Sequence, residues 1–139
     1  QIFIRRKFRH ALFKEIYQQG AIRVLTDYAE KLSPFVNENL VRYVEEHYDK
    51  VYVSTAAWKD LVEAILARQN IKGWIVHGTE YDTNFHRFYT CWHEAKVERL
   101  EACGVGHFDL FTDSKEDRPL MNAADQVFLV KGDSFALSV

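Results

Sequence analysis

A chain of 139 residues is the size of one domain. Apolar residues make up 47% of it and charged residues 27%, with ten Phe, seven Tyr and three Trp; so many aromatic groups drive collapse, which excludes disorder as the main state. A net charge of −2 argues against a protein that is basic overall and lives on nucleic acid, and no apolar run comes near the roughly 18 residues of a membrane span.

The first residues lack the uninterrupted apolar stretch of a signal peptide, and Cys91 and Cys103 imply no disulfide framework. The expectation is a reducing, cytoplasmic compartment, with no nucleic-acid and no membrane partner. With two Pro and six Gly, the chain has little from which to build a flexible interdomain linker.

Ile4, Phe8, Leu12 and Ile16 recur every four residues. This predicts a helix from Ile2, stopped at Gly20. Arg5, Arg6, Lys7, Arg9 and His10 crowd its start, where cations oppose the helix dipole. Such a basic amphipathic face could bind DNA or an anionic membrane surface; because the rest of the chain is near neutral, packing over the active-site edge as a cap is preferred. A second helix is predicted from Ser33 as N-cap and Pro34 at the first helical position. Val36, Leu40 and Val44 line its face.

From residue 50 the pattern changes. Val51-Tyr52-Val53-Ser54-Thr55 has the composition of a buried strand. Trp58, Leu61, Val62, Ile65 and Leu66 then follow at helical spacing, and Gly73-Trp74-Ile75-Val76-His77 is a second strand. Residues 78–92 suggest a small hairpin. Ala95, Val97, Leu100 and Cys103 mark a helix ended by Gly104, and Phe108 to Thr112 is a third strand. A short helix near Asp117 to Ala123 leads to a fourth strand, Val127 to Val130. Strands alternating with helices predict an α/β fold: a three-layer, Rossmann-like parallel sheet with helices on both faces. Right-handed crossovers place all strand C-terminal ends on one edge, where ligands of open α/β sheets bind. The residues there are Thr55, His77 with Gly78, Asp113 and Lys131.

Asp113 and Asp117 are the sharpest feature of that edge. A strand delivers the first carboxylate at its tip, and a turn later the second can point back. Two hard oxygen ligands suit Mg²⁺, which takes one or two carboxylates with waters and a phosphate. The alternative is that Asp113 caps the next helix and Asp117 sits in solvent. Thr55 with Ala56 could cradle a phosphate through its hydroxyl and free backbone N–H groups, or be an ordinary helix cap. Lys96 could neutralise a phosphoryl group, or be a surface lysine.

A strand-end Thr55, then Lys96, then Asp113-Ser114-Lys115-Glu116-Asp117-Arg118-Pro119-Leu120-Met121 together resemble the haloacid dehalogenase-like superfamily, nearest its phosphoserine-phosphatase-like branch. His77-Gly78-Thr79-Glu80 resembles the turn after that family's third strand, and Ala124-Asp125 before the last strand also fits. The resemblance covers roughly residues 30–132 and implies a Mg²⁺-dependent hydrolase of a small phosphomonoester, working through an aspartyl-phosphate. By that resemblance Asp113 holds the metal, with Asp117 beside it as a ligand or as a carboxylate one layer out. Thr55 and Ala56 bind phosphoryl oxygens, and Lys96, the catalytic cation, offsets the charge gathered there.

The family's first motif, Asp-x-Asp-x-Thr or Ser, should precede Thr55. Before Thr55 the only aspartates are Asp27 and Asp49, and neither has a second acid in step. The expectation is therefore that residues 1–30 are a partial helical cap and 31–139 a core lacking its first strand, with the nucleophile upstream. The chain alone is then inactive, and strand exchange or a homo-oligomer is a possible remedy for the missing strand. The rival expectation is a non-catalytic remnant or interaction module that keeps the fold. His77, His86, Cys91 and His93 form a loose cluster, without the tight paired spacing of structural zinc sites.

Overall fold

The computed structural model describes residues 21–82, 84 and 87–138, and the chain in it is α/β. Its elements in order are α1 (Ala21–Leu32), a 3₁₀ turn (Ser33–Phe35), α2 (Glu38–His47), β1 (Tyr52–Trp58), α3 (Lys59–Arg68), β2 (Ile75–Asp82), β3 (Arg87–Tyr89), α4 (Glu94–Ala102), β4 (Asp109–Thr112), a second 3₁₀ turn (Lys115–Asp117), α5 (Arg118–Ala123), β5 (Gln126–Lys131) and β6 (Ser134–Leu137). The helix expected from Ile2 lies outside the described residues, as does His86.

Among the described residues the strands do not form the one parallel sheet expected. They form two three-stranded sheets, β1-β2-β3 and β4-β5-β6. In each, the first two strands are parallel and the third is antiparallel. The parallel pairs are those expected from the β-α-β pattern, each joined by one crossover helix. The antiparallel partners are hairpin returns. β3 is the small hairpin anticipated in 78–92, and β6 was not anticipated. Its signal was Gly132-Asp133 between two apolar runs: Gly132 takes φ +56° at the first position of a two-residue turn, which glycine adopts without steric cost.

The second helix starts later than its Ser33-Pro34 signal suggested. Those residues make the 3₁₀ turn, and Asn37 caps α2, accepting from the Leu40 N–H at 3.1 Å. Ser33 is buried instead as an acceptor: Gln69 Nε2 donates to its carbonyl at 2.7 Å, tying α1 to the end of α3. α3 packs against β1, β2 and α1. Gly78 in β2 lets α3 start that close, since a Cβ there would lie 2.8 Å from Lys59 Cα.

α2 lies on the second sheet through an aromatic cluster. Phe111 of β4 stacks on Phe128 of β5 with centroids 4.5 Å apart, and Tyr43 of α2 meets the Phe135 ring edge-on at 4.8 Å. Tyr48, just beyond α2, donates from its hydroxyl to Asp109 Oδ2 at 2.6 Å. This ties the entrance of β1 to the first residue of β4. Burial and the neighbouring Asp109 carboxylate both push the Tyr48 hydroxyl well above its usual pKa, so it stays a donor.

Among the described residues no ladder joins β1 to β4. Between them lies a cavity of about 900 Å³, bordered by Val51–Ser54 on one side and Phe108–Phe111 on the other, with Val44, Leu100 and Leu120 over its faces.

Candidate functional site

α4 is entered sharply. His93 adopts φ +48°, a conformation uncommon for residues other than glycine, and its carbonyl accepts from the Lys96 N–H at 3.1 Å. That sets Lys96 one turn into the helix, facing the interior. Lys96 is 8% exposed, far from the surface lysine its sequence context alone suggests. Lysine is buried to this degree only when its charge is matched, and the match is Asp117: Lys96 Nζ lies 2.6 Å from Asp117 Oδ1.

Asp117 reaches inward from the 3₁₀ turn after β4. Its other oxygen, Oδ2, accepts from Thr112 Oγ1 at 2.6 Å. Thr112 is the last residue of β4 and is buried. Its hydroxyl also accepts from the Ser114 N–H at 3.1 Å, which folds the following turn around it. Thr112 was not picked out in the sequence; the available signal was a hydroxyl at the last strand position, directly before the Asp-x-x-x-Asp run.

Asp113 behaves differently. It is exposed on the bend after β4, while Asp117 points into the domain. Both acids therefore come to the C-terminal end of β4, and the ion pair belongs to Asp117.

Thr55 does not end its strand. β1 continues to Trp58 through an irregularity in the ladder between Ser54 and Trp58. Within it, Thr55 Oγ1 accepts from the Ala57 N–H at 3.0 Å, the local turn that the capping alternative describes. That bond uses an acceptor lone pair and leaves the hydroxyl proton for another partner. Ala56 is exposed, and its carbonyl accepts from Thr79 Oγ1 at 2.7 Å. The same Thr79 oxygen accepts from the Cys91 N–H at 3.2 Å. Cys91 is completely buried, and burial pushes its thiol up, opposed by the nearby Lys96 ammonium. Lys96 is thus bonded at the exit of β4 through Asp117, and the Cys91 it acts on is tied through Thr79 to Ala56 in β1.

Among the described residues, which leave out His86, the loose histidine–cysteine cluster does not assemble into a metal site. His77 is 3% exposed, with Nε2 3.6 Å from Cys103 Sγ and its ring 5.2 Å from that of Tyr52. Burial, then the Arg99 and Lys59 charges, holds the imidazole below its usual pKa, so it is a neutral core histidine. Among the described residues no three His, Cys, Asp or Glu side chains gather as a metal centre. For Mg²⁺ the donor set is correspondingly thin: both oxygens of Asp117 are engaged, and Asp113 is the open carboxylate. A cation held there would keep most of its water shell, which Mg²⁺ tolerates.

Chemically, the exit of β4 offers a buried, oriented ammonium and one open carboxylate, while Thr55, inside the irregular part of β1, keeps a hydroxyl proton to donate. Comparisons with protein-family models, with curated proteins and with solved structures find no match.

Proposed function

We propose that the chain carries the anion-binding part of a Mg²⁺-dependent phosphomonoester hydrolase of the haloacid dehalogenase-like kind, acting on a small phosphorylated substrate. The observation that supports this best is the Lys96–Asp117 pair. A buried lysine costs several kcal/mol to desolvate, yet here it sits at the strand-exit edge, where α/β folds bind ligands. Asp117 and Thr112 are positioning residues that fix the ammonium, which offsets phosphoryl charge. Thr55 and the Ala56 backbone receive phosphoryl oxygens. Asp113 is the carboxylate through which a hydrated Mg²⁺ would be held, and that ion would supply charge neutralisation to the phosphoryl group.

The sequence contains no Asp-x-Asp pair, so these 139 residues bind but do not turn over. Completion of the two half-sheets into one three-layer Rossmann-like sheet belongs to the same reading. Calorimetric titration with inorganic phosphate in the presence of Mg²⁺ tests it. Wild type is expected to bind, and Lys96→Met to lose at least tenfold in affinity while still giving a cooperative unfolding transition. Lys115→Met, an exposed control, should bind as wild type does. Mg²⁺-dependent hydrolysis by the 139 residues alone would refute the missing nucleophile. The engaged state of both Asp117 oxygens favours one rival, a non-catalytic module that keeps the fold; absence of phosphate binding is its signature.

A further inference from the structure

We infer that the phosphomonoester bound here carries a flat aromatic ring on its ester oxygen, and that Trp92, held in place by His93, is the residue that selects it. The inference rests on the phosphatase reading and adds the class of substrate to it.

The selecting residue sits on a turn with an unusual backbone. The Trp92 carbonyl accepts from the Ala95 N–H at 3.1 Å, which closes Trp92-His93-Glu94-Ala95 into a β-turn at the start of α4. His93, the second residue of that turn, has φ +48° and ψ −122°. These are the angles of a type II′ turn, whose second position glycine fills most readily. A side chain there is strained, and such strain persists where the surrounding structure holds it, most often at functional sites. Glycine would relieve it, yet the sequence places an imidazole.

That imidazole lies against the Trp92 indole, with centroids 3.9 Å apart and planes inclined by 57°. Trp92 itself is 53% exposed, so half of a large apolar ring stays out of the core, where burial would have been favourable. Its neighbours in sequence are the reverse. Cys91 is completely buried, and Lys96, four positions on, is 8% exposed. The backbone under the indole is pinned on both sides, by the Cys91 N–H donating to Thr79 and by the Ala95 N–H donating to Trp92 itself. A rigid aromatic group backed by a second ring and open to solvent is suited to contact with a ligand at little entropic cost.

The turn also joins the two groups assigned to the phosphoryl oxygens. Toward β1, Cys91 bonds Thr79, and Thr79 donates to the Ala56 carbonyl. Toward α4, the His93 carbonyl accepts from the Lys96 N–H. A phosphoryl group received by Ala56 and Lys96 therefore has Trp92 as a neighbour for its ester substituent. Indole offers a broad π face, which stacks on other flat rings. A saturated or polyol substituent lacks the face that such stacking needs. Trp92 thus favours an aromatic ester, and His93 is a positioning residue that fixes the indole.

The test is calorimetric titration of the full chain, with Mg²⁺, using inorganic phosphate, phenyl phosphate, cyclohexyl phosphate and glycerol phosphate. Phenyl phosphate is expected to bind about tenfold more tightly than the cyclohexyl and glycerol esters. In Trp92→Ala that ratio should fall to about one, and in Trp92→Phe, which restores a ring, it should stay above about threefold. His93→Gly should lower the ratio without lowering the thermal midpoint, since glycine suits that backbone. A wild-type ratio near one, with inorganic phosphate still bound, would overturn this inference alone. So would a tenfold ratio that survives Trp92→Ala, including the case in which all affinities fall together. Cyclohexyl phosphate binding as tightly as phenyl phosphate would replace ring recognition by plain apolar contact and overturn the aromatic class. Failure of all four phosphates to bind the wild type would overturn the inference together with the reading on which it rests.

Discussion

Lys96 and Asp117, 21 positions apart in sequence, meet at 2.6 Å inside the domain, with side chains 10% and 16% exposed. Thr112 occupies the second carboxylate oxygen at the same distance. This three-residue knot joins α4 to the exit of β4 and sets the charge at the sheet edge.

Breaking one member of such a pair strands the other charge in a poorly solvated place. Lys96→Met and Asp117→Leu should each cost about 3 kcal/mol of stability. The Lys96→Met, Asp117→Leu double variant should recover most of the loss, because no buried charge remains. Urea unfolding midpoints of the two single variants and the double variant check this; additive losses would mean the pair is not coupled.

Gly78 is needed for space. Its missing Cβ leaves room for Lys59 Cα at the start of α3, and that neighbour is backbone. Gly78→Ala should therefore destabilise by about 1–3 kcal/mol through overpacking, read as a fall in Tm. A wild-type Tm would show that α3 shifts freely.

The buried His77 makes stability depend on pH. Its pKa in the folded chain lies below the ordinary 6.5, through burial and then the Arg99 and Lys59 charges, with Glu80 opposing them. Above pH 6.5 the imidazole is neutral in both states and the fold is at full strength. As pH falls below 6.5 the unfolded chain takes up a proton that the folded chain refuses, so stability drops. Denaturant midpoints measured at pH 7.5 and 5.5 should show this fall, and His77→Gln should reduce it. An unchanged slope in that variant would place the pH dependence elsewhere.

Much of the architecture was legible because buried strands and crossover helices leave period and composition signals. Val51 to Thr55, Phe108 to Thr112 and the helices after each were read near their true places. What failed to show were features decided by local competition or by long-range packing. Ser33-Pro34 resembles a helix start, yet Gln69 claims Ser33 from 36 residues away, and Asn37 takes over the cap. Thr55 looks like a strand end because its β-branched run stops, but the irregular ladder carries β1 on to Trp58. At the candidate site, Lys96, Asp113 and Asp117 were picked out by residue type and spacing. Which carboxylate turns inward was not readable, since it depends on Thr112 and the turn built around its hydroxyl.

Magnetic resonance mapping of inorganic phosphate on the isotopically labelled chain with Mg²⁺ tests the central claim most directly. The account predicts shifts concentrated on the Lys96 side-chain ammonium and the backbone amides of Thr55, Ala56 and Asp113. Shifts spread over exposed lysines such as Lys50, Lys72 and Lys115, with Lys96 unmoved, would contradict it.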